Sequence, residues 1–160
     1  MLLSCIFLFI LGARHMGTIK FPSFQNHFLC KHPSLLSERN IISISPGGFK
    51  GFYVSGIVTY IKEHYSLDSF VFSGASAGAW NALLFSFKRD PYELMVPIFE
   101  NKIVQESKSI QIIEKNIKDW ILSQYTADDF DLNRLFVGIT VLHKCNIKTS
   151  IVTDFTPLDI

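Results

Sequence analysis

The sequence predicts an α/β domain built on a mainly parallel sheet, and three observations carry that expectation. First, the β-branched run IISIS (residues 41–45) ends at Pro46-Gly47-Gly48. Apolar residues then follow at 49, 53, 54, 57, 58, 61 and 65, the spacing of one helical face. Second, the pattern returns one unit later, with Phe70, Val71 and Phe72 as an apolar strand, Gly74 as a turn, and an Ala- and Leu-rich stretch as a second helix. Strand, glycine turn and helix, repeated in order, is the rhythm of a parallel sheet crossed by helices. Third, 48% of the 160 residues are hydrophobic and only 18% charged, so the chain must bury a large apolar surface and is not disordered.

The elements follow in order. Residues 1–40 read as an N-terminal extension. Its apolar run, residues 2–11, is shorter than the roughly 20 residues that span a bilayer. The run matches the apolar region of a signal peptide cleaved near Ala13, but no Lys or Arg precedes it. A plain extension, or a start at Met16, fits as well, and a cytoplasmic or membrane-associated location is expected over secretion. Residues 17–40 mix Pro22, Pro33, serines and charges without a period, an irregular lead-in. A single domain is expected over residues 41–160, with no repeat or linker dividing it. Its second helix runs toward Lys88 and ends before Pro91. A polar middle segment follows, in which Ile110, Ile113, Ile117, Trp120 and Ile121 recur as one face of an amphipathic helix. Two β-rich runs joined by the turn-like HKCN close the chain.

Charge narrows the function. With 15 basic and 14 acidic residues the net charge is +1, which gives no electrostatic footprint for nucleic acid or anionic lipid. Cys5, Cys30 and Cys145 are far apart, with no zinc or redox spacing, and read as reduced and structural. His15, His27, His32, His64 and His143 form no metal-ligand grouping, so no metal or other cofactor is expected.

Chemistry concentrates in two glycine-rich turns. Gly74-Ala75-Ser76-Ala77-Gly78 is a G-x-S-x-G placed between a strand and a helix, where a serine on a strained turn becomes an exposed nucleophile. Small neighbours are needed because a Cβ on either flanking glycine would meet backbone. In isolation the motif reads equally well as a tight turn. The upstream turn, residues 47–51, is not a P-loop, since Lys50 is followed by Gly51 and Phe52 rather than Ser or Thr. A dinucleotide site would need an acidic residue at the end of the second strand, which instead ends in Phe72-Ser73. What remains is a row of backbone N–H groups at a helix N-terminus, a stabiliser of negative charge. Paired with Ser76, such a loop acts as an oxyanion hole in which the amides of Gly47 and Gly48 approach the tetrahedral intermediate. Lys50 either adds positive charge there or is a solvated first-turn lysine.

PGGFKG followed by GASAGA resembles the patatin-like phospholipase domain, whose G-G-x-[KR]-G oxyanion loop lies upstream of its G-x-S-x-G elbow. The similarity runs from about Ile41 to the C-terminus and includes RLFVGITVL and SIVTDF. The resemblance implies a three-layer α/β/α fold and a Ser-Asp dyad acting on lipid acyl esters, without metal or histidine. It also implies a lipid ester substrate and peripheral membrane contact. By it Ser76 is the nucleophile, with Gly74, Ala75, Ala77 and Gly78 as its elbow and Gly47, Gly48, Phe49, Lys50 and Gly51 as the oxyanion loop. In that family the dyad Asp sits in an Asp-Gly motif, and no Asp-Gly occurs in these 160 residues. Asp154 and Asp159 are not followed by Gly, and Asp154 reads as a strand-end residue. The expectation is therefore a patatin-like domain that is C-terminally incomplete, its dyad Asp beyond Ile160. Two alternatives stand beside it. One is a catalytically inactive module that keeps the lipid groove for lipid or partner binding. The other is an α/β-hydrolase with His143 as base, although no carboxylate-to-histidine order supports it.

Overall fold

The computed structural model describes residues 40–100, 109–143 and 146–153. The apolar run 2–11, Cys5, Cys30, Cys145, Asp154 and Asp159 lie outside the described residues. Strand β1 (Asn40–Ile44) is followed by a single 3-10 turn (Gly48–Lys50) and helix α1 (Gly51–His64). Strand β2 (Phe70–Ala75), helix α2 (Ala77–Ser86), helix α3 (Pro91–Glu100) and helix α4 (Ile110–Gln124) come next. Two further 3-10 turns then lead into β3 (Leu135–His143) and β4 (Asn146–Val152). The four strands form one sheet in the order β1-β2-β3-β4. β1 and β2 run parallel, as do β2 and β3, while β4 pairs antiparallel to β3 as a hairpin. The α/β class, with a mixed and mostly parallel sheet, is thus as the sequence implies.

Alternation along the strands sets the core. Phe72 pairs in register with Ile42 and Leu135, and Gly74 with Ile44 and Val137, so these residues share one face. That face meets α2, whose Phe85 ring stacks on Phe72 at 4.9 Å between centroids. α2 is apolar nearly all round and accordingly buries Ala79, Ala82, Leu84 and Phe85. Val71 and Phe136, which project from the opposite face, are also buried. The centre of the sheet is therefore covered on both sides, as parallel strands require.

The structure adds a helix the sequence reading misses. Residues after Pro91, to which the sequence pattern assigns no element before the Ile110 stripe, form α3, with Pro91 at its first position and Pro97 inside it. Pro91 is tolerated there because the first N–H groups of a helix have no intrahelical partner. The Asp90 carboxylate accepts from the Tyr92 N–H at 2.9 Å, a cap that stabilises the start. Pro97 cannot donate to the carbonyl of Glu93 four residues back. That carbonyl instead accepts from the Tyr125 hydroxyl at 3.1 Å, a contact across 32 residues that local pattern does not reveal.

Candidate active site

The two glycine-rich turns leave the C-terminal ends of neighbouring parallel strands, since Ile44 at the end of β1 lies in register with Gly74 near the end of β2. This is the edge where open α/β sheets place their sites. Ser76 lies between β2 and α2 with φ 54° and ψ −128°. Among the described residues it is the one non-glycine with positive φ. Such a conformation costs about 1–3 kcal/mol and persists only where surrounding structure over-determines it. The determinants are steric. A Cβ on Gly74 would lie 2.1 Å from the Gly78 carbonyl oxygen, and one on Gly78 would lie 2.3 Å from that of Ile44. Gly74 thus lets β2 approach α2, and Gly78 lets α2 approach the end of β1, which gives the spacing of the motif its physical reason.

The upstream loop packs directly on this elbow. A Cβ on Gly51 would come within 2.7 Å of the Ala77 Cβ. Asn81, on the second turn of α2, ties the two together: its Nδ2 donates to the Gly51 carbonyl at 3.1 Å and to the Ala77 carbonyl at 2.9 Å. Gly48 takes φ 53° as the chain turns into its 3-10 segment. The Lys50 N–H donates to the Gly47 carbonyl at 3.1 Å, and the Gly51 N–H to the carbonyls of Gly48 and Phe49. Of the five loop residues expected to supply amides, Lys50 and Gly51 thus spend theirs within the turn. The amides of Gly47, Gly48 and Phe49 make no hydrogen bond among the described residues, and they are the donors left for an anion.

Gly48, Gly51, Ser76 and Ala77 form the floor of a cleft of about 90 Å³. Phe52, Trp80, Leu83, Leu94, Met95 and Ile98 wall it. Its roof is α4, through Ile110, Ile113, Ile117 and Ile121. The amphipathic face expected for α4 is real, and it closes this cleft. Ser76 is only 8% exposed and lies in the lining of this mostly apolar cleft. Among the described residues its Oγ makes no hydrogen bond, and no carboxylate or imidazole engages it.

Among the described residues Glu114 is the acidic or basic side chain in the cleft lining, and the sequence reading does not single it out. Its signal is a charged residue on the apolar stripe of an amphipathic helix, at the spacing of Ile110, Ile113, Ile117 and Ile121. Burial pushes its carboxyl above the usual range. Among the described residues no group of His, Cys, Asp and Glu could hold a metal ion, and no helix is long and apolar enough to cross a membrane. In comparisons with known proteins, no family model, no curated protein and no solved structure matches this chain.

Proposed function

We propose that the chain is a patatin-like serine acyl hydrolase of lipid esters, with the three-layer fold of that class. Ser76 Oγ attacks the ester carbonyl and forms the acyl-enzyme, and the amides of Gly47, Gly48 and Phe49 hold the oxyanion. The single observation that carries this reading is the strained Ser76 backbone, enforced by Gly74 and Gly78 beside a loop with unspent amides. Burial of both sheet faces and the apolar cleft above Ser76 support it further. The N-terminus of α2 directs its dipole at the same point and favours negative charge there. Exposed Phe49 and Tyr53 next to the loop suit peripheral contact with a lipid interface, where aromatic rings are at home. Among the described residues no base is hydrogen-bonded to Ser76, which leaves its hydroxyl a weak nucleophile, and this observation favours the second reading, a module that binds the lipid ester without turning it over.

Hydrolysis of a short-chain p-nitrophenyl ester by the purified chain separates the two. Turnover that disappears in Ser76→Ala is the expected result, whereas turnover that survives the substitution removes Ser76 from the mechanism. Ester binding without turnover favours the silent module.

A further inference from the structure

Two side-chain polar atoms are buried without a hydrogen-bond partner among the described residues, Asn81 Oδ1 and Glu114 Oε2. Both residues line the cleft that holds Ser76. Folded proteins pair nearly all such atoms, so two orphans in one cleft ask for a ligand that pairs them. Asn81 is 3% exposed, and its orientation is fixed: Nδ2 already donates to the carbonyls of Gly51 and Ala77, which leaves Oδ1 as the free atom. An amide oxygen only accepts, and a carboxyl keeps an accepting oxygen in either protonation state. The cleft therefore asks its occupant for hydrogen-bond donors.

Charge restricts the occupant further. Among the described residues no Lys or Arg lines the cleft, so a phosphate or a free carboxylate would be desolvated against these walls with no cation among them to meet it and with Glu114 to oppose it. The remaining walls, among them Phe52, Trp80, Leu83 and Met95, suit a hydrocarbon chain. We infer that the preferred substrate of this site is a neutral acyl ester bearing a free hydroxyl, of the monoacylglycerol kind, whose O–H groups donate to Asn81 Oδ1 and Glu114. Fully acylated glycerol lipids have no O–H to give, and phospholipids and free fatty acids bring an anion. The raised carboxyl pKa of Glu114 fits a site where the anionic form has no cation and a hydroxyl donor would relieve it. As a statement about substrate, the inference rests on the hydrolase reading of Ser76.

The test is equilibrium binding to the Ser76→Ala chain, with three probes that share one acyl chain: 1-octanoylglycerol, methyl octanoate and octanoate. Each is followed below its micellar concentration by calorimetry and by the fluorescence of Trp80 in the cleft wall. 1-Octanoylglycerol is expected to bind about tenfold tighter than methyl octanoate, the size of one to two net hydrogen bonds, with octanoate the weakest. Glu114→Leu should shrink the preference to about threefold or less, while Glu114→Gln, which keeps an acceptor, should retain most of it. Equal or tighter binding of methyl octanoate, tightest binding of octanoate, binding of none of the three, or a preference unchanged in Glu114→Leu would each overturn the inference. Fluorophosphonate labelling of the unmodified chain reports separately on the hydrolase reading. Labelled Ser76 without the hydroxyl preference sinks the inference alone, and the preference without labelling sinks the hydrolase reading.

Discussion

The two ends of α2 treat polar groups in opposite ways. At its N-terminal end, around Ser76, polar atoms are left without partners among the described residues: Ser76 Oγ, Asn81 Oδ1 and the amides of Gly47, Gly48 and Phe49. At its C-terminal end, carbonyls are closed off by long cations from elsewhere in the chain. Lys62 of α1 donates to the carbonyls of Phe85 at 2.9 Å and Phe87 at 2.5 Å. Arg134, entering β3, does the same at the start of β2, donating to the carbonyls of Phe70 at 2.7 Å and Leu67, and its guanidinium lies 4.8 Å from the centre of the Phe72 ring. The closed end contributes stability, and the open end holds strain and unmet hydrogen-bonding capacity for a ligand. The difference teaches where this molecule is built to hold together and where it is built to act.

The largest expected effect tests whether the open end is held by sterics. In Gly74→Ala or Gly78→Ala the new methyl meets a carbonyl oxygen at 2.1 or 2.3 Å with only backbone to give way. Either substitution should cost about 4 kcal/mol or more, or prevent folding, as read by urea denaturation. A loss under about 1 kcal/mol would mean that the elbow is not so tightly determined.

The closed end gives the next effect. Lys62→Met leaves the Phe85 and Phe87 carbonyls without their donor and should cost about 1–2 kcal/mol in the same measurement. Burial, and then the charge of Arg134, lower the pKa of Lys62 to about 8 from 10.5. Between those values the unfolded chain binds the proton that the folded chain has released. This group's contribution to stability therefore rises as pH climbs from about 8 to 10.5, and Lys62→Met should remove that rise. A pH profile identical in both proteins would show that the cation is not buried as described.

Ser76→Gly sharpens the contrast from the opposite direction. Glycine adopts φ 54°, ψ −128° without the penalty that serine bears, so the substitution should stabilise the fold by about 1 kcal/mol while removing the proposed nucleophile. A destabilised Ser76→Gly protein would place the strain elsewhere. The smallest effect lies at the far wall, where Tyr125→Phe frees the Glu93 carbonyl that Pro97 cannot satisfy. A thermal shift matching about 0.5–1 kcal/mol is expected.

What was legible in the sequence follows the same division. The elbow and the loop could be read because their determinants are local: the glycines at 74 and 78 are demanded by backbone contacts within one βα unit and the strand beside it. The strands and the α4 stripe could be read from periodicity. Helix α3 could not, because two prolines mask it and the compensation for Pro97 comes from Tyr125, far along the chain. Lys62, Arg134 and Asn81 were equally out of reach. Each looks like an ordinary helix or surface residue until the packing shows which carbonyl or cleft it faces. Spending the Lys50 and Gly51 amides within the turn is likewise a matter of loop geometry, which composition does not encode.

The central claim is that the strained serine at the open end is the nucleophile, and peptide mapping after exposure to a fluorophosphonate tests it most directly. The account predicts a phosphonyl adduct on the peptide carrying Ser76, with no adduct at that peptide in Ser76→Ala. An adduct confined to other serines, or a Ser76 peptide that stays unmodified under conditions that label a reference serine hydrolase, would contradict it.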